Sequence, residues 1–99
     1  MRRVMVRYKV RPDRVEENER LVRAVYAELA AATPEGLRYA TFKLDDGVTF
    51  VHLAAHDDRN PLPEIEAFRR FTAEIRDRCD EPPVTSQLTE VGSFNLFGT

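Results

Sequence analysis

The sequence has a single cysteine, no tryptophan and no long hydrophobic run, and these scarcities exclude several classes of protein. Cys79 is the only cysteine among 99 residues, so neither an intramolecular disulfide nor a multi-thiolate metal site can form. No segment approaches the roughly 20 consecutive apolar residues of a membrane-spanning helix. Arg7 and Lys9 interrupt the apolar positions near the N-terminus, which excludes a secretory signal pattern there. We therefore predict a cytoplasmic protein with no membrane association.

The chain has no large excess of positive or negative charge, and it lacks the recognised catalytic motifs. The formal net charge is only -2, so the chain lacks the strongly basic surface that nucleic-acid binding requires, and we predict no nucleic-acid partner. The sequence holds no Gly-rich phosphate loop and no nucleophile motif. A hydrophobic fraction of 42% in 99 residues predicts one domain over 1–99. Its core is small, which favours burial against a second copy.

The periodicity of apolar residues predicts six elements. Alternation is typical of strands, and apolar positions three, four or seven residues apart are typical of helices. The pattern predicts a strand over 3–10, a helix over 13–32, strands over 37–44 and 48–56, a helix from 62 or 63 to 78, and a strand over 84–91. This order predicts an α+β, ferredoxin-like βαββαβ fold, in which both helices cover one face of a four-stranded antiparallel sheet.

The second and third predicted strands flank Gly47, which can adopt the positive φ of a hairpin turn. Val51, Leu53 and Ala55 form the purely apolar side of the second hairpin strand. Because helices require an apolar surface, we predict that this side faces the helices, as do Val4, Val6, Tyr8, Ala40, Phe42 and Leu44. The opposite face would then carry a mixed set of side chains: Met5, Arg7, Lys9, Leu37, Tyr39, Thr41, Lys43, Val48, Phe50, His52, His56, Thr85, Gln87 and Thr89.

A sheet face of this mixed character usually meets a partner or a ligand. One fold that uses such a face is the RNA-recognition motif, whose third-strand signature is similar to the segment 47–53. The chain departs from that signature at Asp46, just before the segment, where a basic residue is needed, and at Val48, where an aromatic side chain is needed to stack on a base. An RNA-binding interpretation is therefore disfavoured.

Over nearly its whole length the chain resembles the antibiotic biosynthesis monooxygenase (ABM) domain family. The resemblance lies in Val10-Arg11-Pro12 after the first strand, the long helix with an acidic start, the glycine-turn hairpin, and the segment Phe68-Arg69-Arg70-Phe71. It implies a homodimeric α+β barrel in which the bare sheet faces of two chains meet. It also implies a cofactor-independent oxygenase acting on a small aromatic or enolic metabolite. Haem-degrading members use an Asn, Trp and His set, which a chain without tryptophan cannot complete.

His52 is the leading candidate for a catalytic residue. A cofactor-free oxygenase must deprotonate a phenol or enol, and a histidine of near-neutral pKa suits that step. Arg7 on the neighbouring strand would stabilise the resulting anion. We assign Tyr39, Phe50 and Gln87 to substrate binding and predict no metal site, since His56, Asp57 and Asp58 are consecutive and point in different directions. The alternative is a non-catalytic dimeric module that binds a small ligand or acts through its interface, with His52 as an interface histidine.

Overall fold

A computed structural model describes residues 1–96 and contains one antiparallel sheet with helices packed on one face. The elements are β1 (Arg2–Val10), α1 (Val15–Ala32), β2 (Leu37–Lys43), β3 (Thr49–His56), α2 (Glu66–Ala73), α3 (Ile75–Arg78) and β4 (Cys79–Gln87). The strand order is β2-β3-β1-β4, which confirms the predicted α+β, ferredoxin-like architecture.

The described part of the chain has no helix long and apolar enough to cross a membrane.

The hairpin between β2 and β3 is confirmed, and its turn is closed by Asp46. Gly47 adopts a φ of +77°, as the turn requires. The Asp46 carboxylate accepts hydrogen bonds from the backbone N–H groups of Val48, at 2.9 Å, and Thr49, at 2.8 Å. These bonds and the Thr49 hydroxyl lower the pKa of Asp46 to about 2, because they stabilise the charged carboxylate.

The second helical region is divided, whereas the sequence predicts one helix from 62 or 63 to 78. A 3₁₀ turn over Leu62–Glu64 precedes α2, and the backbone leaves helical geometry at Glu74 before α3 begins. Ile65 provides no side-chain cap for α2. The carboxylate of Glu28 on α1 takes that role by accepting the backbone N–H groups of Glu66 and Ala67, at 3.0 and 2.9 Å.

The last strand begins earlier than predicted, at Cys79, and ends at Gln87 rather than 91. Pro82 and Pro83 were expected to precede this strand, yet they lie inside it. β4 is an edge strand, where a missing backbone N–H is tolerated, and its pairing with β1 shifts register between Arg7 and Lys9. Cys79 is therefore a buried strand residue and not the end of a helix.

The predicted orientation of β2 and β3 is wrong, whereas that of β1 is correct. Directly paired residues of antiparallel strands share a face, and the register pairs Val6 with His52 and Tyr8 with Phe50. The helices therefore cover the mixed set of β3. The purely apolar set lies on the opposite side, which we call the open sheet face and which includes Met5, Arg7, Ala40, Phe42, Val51, Leu53, Ala55 and Val84.

Candidate functional site

His52 lies in the middle of β3, between the sheet and the helices, and only 4% of its surface is exposed. Each ring nitrogen contacts a tyrosine hydroxyl from a neighbouring strand. The hydroxyl of Tyr8 on β1 lies 2.8 Å from Nε2, and that of Tyr39 on β2 lies 2.6 Å from Nδ1. The Thr41 hydroxyl lies 3.1 Å from Nδ1. The imidazole is therefore fixed in orientation by residues on both adjacent strands.

These contacts belong to a longer chain of hydrogen bonds that crosses the space beneath the helices. Its members, which we call the His52 network, are Arg78, Asn18, Tyr8, His52, Tyr39, Thr41 and Tyr26. One end is buried at Arg78, and the other reaches Tyr26 on α1, whose hydroxyl lies 2.7 Å from Thr41 Oγ1. No buried side-chain nitrogen or oxygen within residues 1–96 lacks a hydrogen-bond partner.

Burial determines the protonation states at the centre of the network. It lowers the pKa of His52 to about 4, because the imidazolium form loses its hydration. It raises the pKa of Tyr8 and of Tyr39 well above the ordinary value, because the phenolate form loses hydration too. At neutral pH the centre of the network therefore consists of a neutral imidazole and two neutral phenols.

Arg78 is the one charged member of the network, and it is 2% exposed. Its Nε donates to Asn18 Oδ1 at 3.2 Å, and its Nη2 donates to the carbonyl oxygen of Phe71 at 2.6 Å. The guanidinium carbon also lies 5.5 Å from the centre of the Phe71 ring. Within residues 1–96 no carboxylate comes within ion-pair distance of it. Its close contacts are therefore dipoles and an aromatic face, and the carboxylate of Glu17 attracts its charge from a longer distance.

Aromatic packing holds the network in place. The Phe71 ring is stacked on His52 with the centroids 5.2 Å apart, and Tyr26 is stacked on Tyr39 at 5.3 Å. Phe68 packs edge-on against Tyr39. The His52 side chain is thus covered by the chain's own α2, and not by a partner across the open sheet face.

A cavity of about 230 Å³ opens between α1 and β2, next to the Tyr26 end of the network. Val22, Tyr26, Thr41 and Phe50 form its walls, and three charged residues also line it: Glu19, Arg23 and Lys43. We call it the α1–β2 cavity. Glu19 lies 3.3 Å from Lys43 Nζ and 3.7 Å from Arg23 Nη2, so one carboxylate is shared between two cations. A small aromatic anion would therefore find both apolar walls and positive charge here.

A second hollow, of about 300 Å³, lies on the open sheet face where β4 shifts register against β1. Arg7, Val84 and Ser86 line it, together with Lys9, whose Nζ lies 3.8 Å from Glu81. No histidine and no member of the His52 network other than Tyr8 borders it.

The structure brings together only some of the residues that the sequence assigns to the site. Tyr39 contacts His52 directly, and Phe50 is stacked on Tyr8 and borders the α1–β2 cavity. Arg7 lies on the open sheet face, as predicted, and pairs there with Val51, but His52 lies on the other face, so the predicted contact between Arg7 and His52 is wrong. Gln87 pairs with Val4 on the edge strand, and β1 lies between it and β3.

Sequence reasoning missed Tyr8, Asn18, Thr41 and Arg78 as site residues. Tyr8 was correctly placed beneath the helices but was treated as core. Asn18 carries a readable signal, because a polar amide among the apolar positions of an amphipathic helix needs a buried partner. Arg78 has no such signal, since it stands in a charged segment that resembles a solvated helix face.

Within residues 1–96 no group of three histidine, cysteine, aspartate or glutamate side chains is arranged to hold a metal ion.

Comparison with solved structures shows the same fold in several proteins. An antibiotic biosynthesis monooxygenase structure aligns with a TM-score of 0.73 and 21% identity, covering 93% of this chain and 100% of that one. A candidate antibiotic biosynthesis monooxygenase from Nitrosomonas europaea aligns with a TM-score of 0.74 and 18% identity over 93% and 100% of the two chains. Another candidate, from Caulobacter crescentus, gives 0.67 and 23% over 92% and 90%.

No protein-family model matches the sequence, and no curated protein matches it significantly. The likeness in structure therefore establishes an ABM-like fold.

Proposed function

We propose that this chain is a cofactor-independent monooxygenase of the ABM type, which oxidises a small aromatic or enolic metabolite held in the α1–β2 cavity. The observation that carries this proposal is the contact of that cavity with the His52 network through Tyr26 and Thr41. The structural neighbours named as monooxygenases support the reaction class. The cytoplasm stays the expected compartment.

The reaction begins with ionisation of the bound substrate. An enol or phenol placed against the Tyr26 and Thr41 hydroxyls would lose its proton to water at the cavity mouth. Lys43 and Arg23 at the cavity, and the hydroxyl donors within it, would stabilise the enolate. The enolate is also a carbanion, and this electron-rich carbon is the atom that reacts with oxygen.

The oxidation is balanced by the substrate's own electrons. A C–O bond forms between the carbanion carbon and dioxygen, and protonation gives a hydroperoxide. Loss of water then converts the original methylene into a carbonyl, so one oxygen atom enters the product and the other leaves as water. The step consumes one dioxygen and needs no external reductant.

His52 takes a different part from the general base that its sequence context predicts. Its pKa of about 4 makes the imidazole a weak proton acceptor, and both of its ring nitrogens already have hydrogen-bond partners. We therefore assign it to orient the Thr41 hydroxyl, which lines the cavity, together with the Tyr39 hydroxyl beside it.

Oxygen consumption with a panel of hydroxyanthrones, which carry the required methylene, tests this function. The wild type should consume one dioxygen per carbonyl formed, at a rate above the buffer background. Thr41→Val removes a donor and should lower kcat about 100-fold, whereas Thr85→Val, the same change on β4, should leave it unaltered. No enzyme-dependent uptake with any member of the panel would remove the oxygenase assignment for those substrates.

A non-catalytic dimeric ligand-binding module is the second candidate function. It is favoured by the burial of His52, which is 4% exposed and does not border the α1–β2 cavity itself. This function predicts saturable binding of a hydroxyanthraquinone without oxygen consumption from the corresponding anthrone, and calorimetry combined with the oxygen assay separates the two.

We also propose that two copies meet through the open sheet face and form a homodimer. Phe42 and Val84 on that face are 36% and 64% exposed, and Met5, Val51 and Leu53 lie partly exposed beside them. Exposed apolar side chains gathered on one sheet face are typical of a protein interface. The α1–β2 cavity lies on the other side of the sheet and would stay open in such a dimer.

A further inference from the structure

We propose that Arg78, acting through Asn18 and Tyr8, holds His52 as the tautomer that carries its proton on Nδ1 and directs that N–H toward the α1–β2 cavity. The tautomer follows from the directions of the hydrogen bonds alone. Its consequence for catalysis rests on the proposed function.

The direction of the network is set at Arg78, because a guanidinium has five N–H donors and no acceptor. Its Nε donates to the side chain of Asn18 at 3.2 Å, so the atom that Asn18 presents there must be its amide oxygen. Asn18 is 0% exposed, so bulk solvent does not reach this contact. The guanidinium thereby fixes which way the Asn18 amide points.

Because the Asn18 side-chain oxygen accepts from Arg78, its side-chain N–H group donates to Tyr8. Asn18 Nδ2 lies 2.9 Å from the Tyr8 hydroxyl oxygen, and an amide nitrogen can only donate. The Tyr8 hydroxyl proton must then go to another acceptor. Its one remaining contact is His52 Nε2, at 2.8 Å, so Tyr8 donates there.

Because Nε2 accepts a hydrogen bond, the neutral imidazole carries its proton on Nδ1. That N–H donates to the Tyr39 hydroxyl at 2.6 Å, with Thr41 Oγ1 at 3.1 Å as a second acceptor. In the opposite tautomer Nε2–H would donate to Tyr8, and the buried Tyr8 hydroxyl proton would have no acceptor. Buried donors without acceptors are strongly disfavoured, so the network selects the Nδ1–H form.

This tautomer makes His52 a donor toward the cavity. Tyr39 and Thr41 receive the Nδ1–H bond on their oxygens, which leaves their own protons to be donated onward. A chain of hydrogen-bond donors that ends at the cavity stabilises an oxyanion on the ligand. It provides no acceptor for a ligand group that must donate a hydrogen bond. Arg78, Asn18 and Tyr8 are thus positioning residues, and they match the site to the ionised form of an enol or phenol.

Long-range proton–nitrogen correlation spectra of the ¹⁵N-histidine-labelled protein at pH 7 test the inference without reference to activity. The wild type should show His52 Nδ1 as the protonated ring nitrogen and Nε2 as the unprotonated one. The reverse pattern in the wild type would overturn the inference by itself.

The Asn18→Asp variant provides the decisive change. A carboxylate still accepts from Arg78, but it cannot donate to Tyr8, so Tyr8 should donate to the new carboxylate and accept from His52. The proton on His52 should therefore move to Nε2. An unchanged tautomer in folded Asn18→Asp protein would show that Asn18 does not set the direction.

Asn60→Asp is the matched control, because it makes the same chemical change in the loop before α2. Its side-chain oxygen accepts the Leu62 backbone N–H, which a carboxylate also does, and the His52 tautomer should stay as in the wild type. If Asn18→Asp does not fold, the wild-type spectrum still decides the question, because a protonated Nε2 there would overturn the inference and a protonated Nδ1 would support it. Oxygen consumption is a separate assay, so its absence would count against the proposed function and leave the tautomer result standing.

Discussion

At the scale of single residues, the burial of a neutral histidine couples folding to pH. Burial lowers the pKa of folded His52 from 6.5 to about 4, so between these values the unfolded chain takes up a proton that the folded chain refuses. The contribution of His52 to stability is complete above pH 6.5 and declines as the pH falls to about 4.

We therefore predict that the free energy of unfolding falls by about 3 kcal/mol between pH 7 and pH 4 through His52, the difference in pKa between the two states setting the size. Denaturant titrations across this range measure it. His52→Gln should lose this dependence even if it is less stable overall, while His56→Gln should retain it. Asp46 titrates in a lower window because its folded pKa is about 2.

An equal loss of stability over the same pH range in His52→Gln would show that another group is responsible.

The sequence predicts His52 and Tyr39 as site residues, and the two are in contact, but it does not predict the contacts of Tyr8 and Thr41 with His52. The partners of His52 come from three different elements, and their meeting depends on the register that pairs Val6 with His52 and Thr41 with His52. The sequence analysis assumed that the most apolar side of β3 faces the helices, and this assumption placed His52 on the wrong face of the sheet. That assumption fails here because Tyr8, Tyr39 and Asn18 satisfy the polar atoms that burial would otherwise leave unpaired.

At the scale of elements, the helices depend on contacts that a local reading of the sequence does not show. α2 has no cap from its own chain neighbourhood and obtains one from Glu28, 38 residues before Glu66. The backbone hydrogen bonds from Ala67 and Glu66 lower the pKa of Glu28, because they stabilise its carboxylate. The cap is thus present at neutral pH and is lost as the pH falls through the depressed pKa.

Glu28→Ala should lower the melting temperature and speed hydrogen exchange at the amides of Glu66 and Ala67. The reason is that two backbone donors at the start of α2 lose their acceptor. Exchange monitored by NMR at neutral pH measures the local effect. Glu35→Ala, at an exposed position after α1, is the control and should change neither quantity.

Unaltered exchange at both amides in Glu28→Ala would mean that the cap does not stabilise this helix end.

The hairpin, α1 and the order of elements are predictable from the sequence because they rest on local chemistry. Gly47 and Asp46 specify the turn, and the apolar stripe of α1 includes Val22 and Val25, which are buried. The extent of β4 is not predictable in the same way, because Pro82 and Pro83 are acceptable in a strand only if that strand is at the edge. Edge position is a property of the whole sheet.

At the scale of the whole molecule, the sheet separates the ligand site that we propose from the interface that we propose. One side carries the His52 network and the α1–β2 cavity beneath the helices. The other side carries the apolar residues that we assign to the dimer interface. The sequence predicts the fold, but it assigns ligand and partner to one sheet face, whereas we propose that they lie on opposite faces.

We predict that the wild type sediments as a dimer and that Leu53→Arg shifts it to a monomer, because a charge would be buried in the centre of the interface. Sedimentation velocity measures the change. Ala24→Arg adds the same charge to the exposed side of α1 and should leave the dimer intact. A monomeric wild type would refute the interface, and so would a dimeric Leu53→Arg variant.

The location of the ligand site is the central claim, and nuclear Overhauser effects from a bound dihydroxyanthraquinone to methyl-labelled protein test it most directly. We predict contacts from the ligand's aromatic protons to the methyl groups of Val22 and Thr41, which line the α1–β2 cavity. Contacts confined to Met5 and Val84, which line the hollow on the open sheet face, would contradict the account.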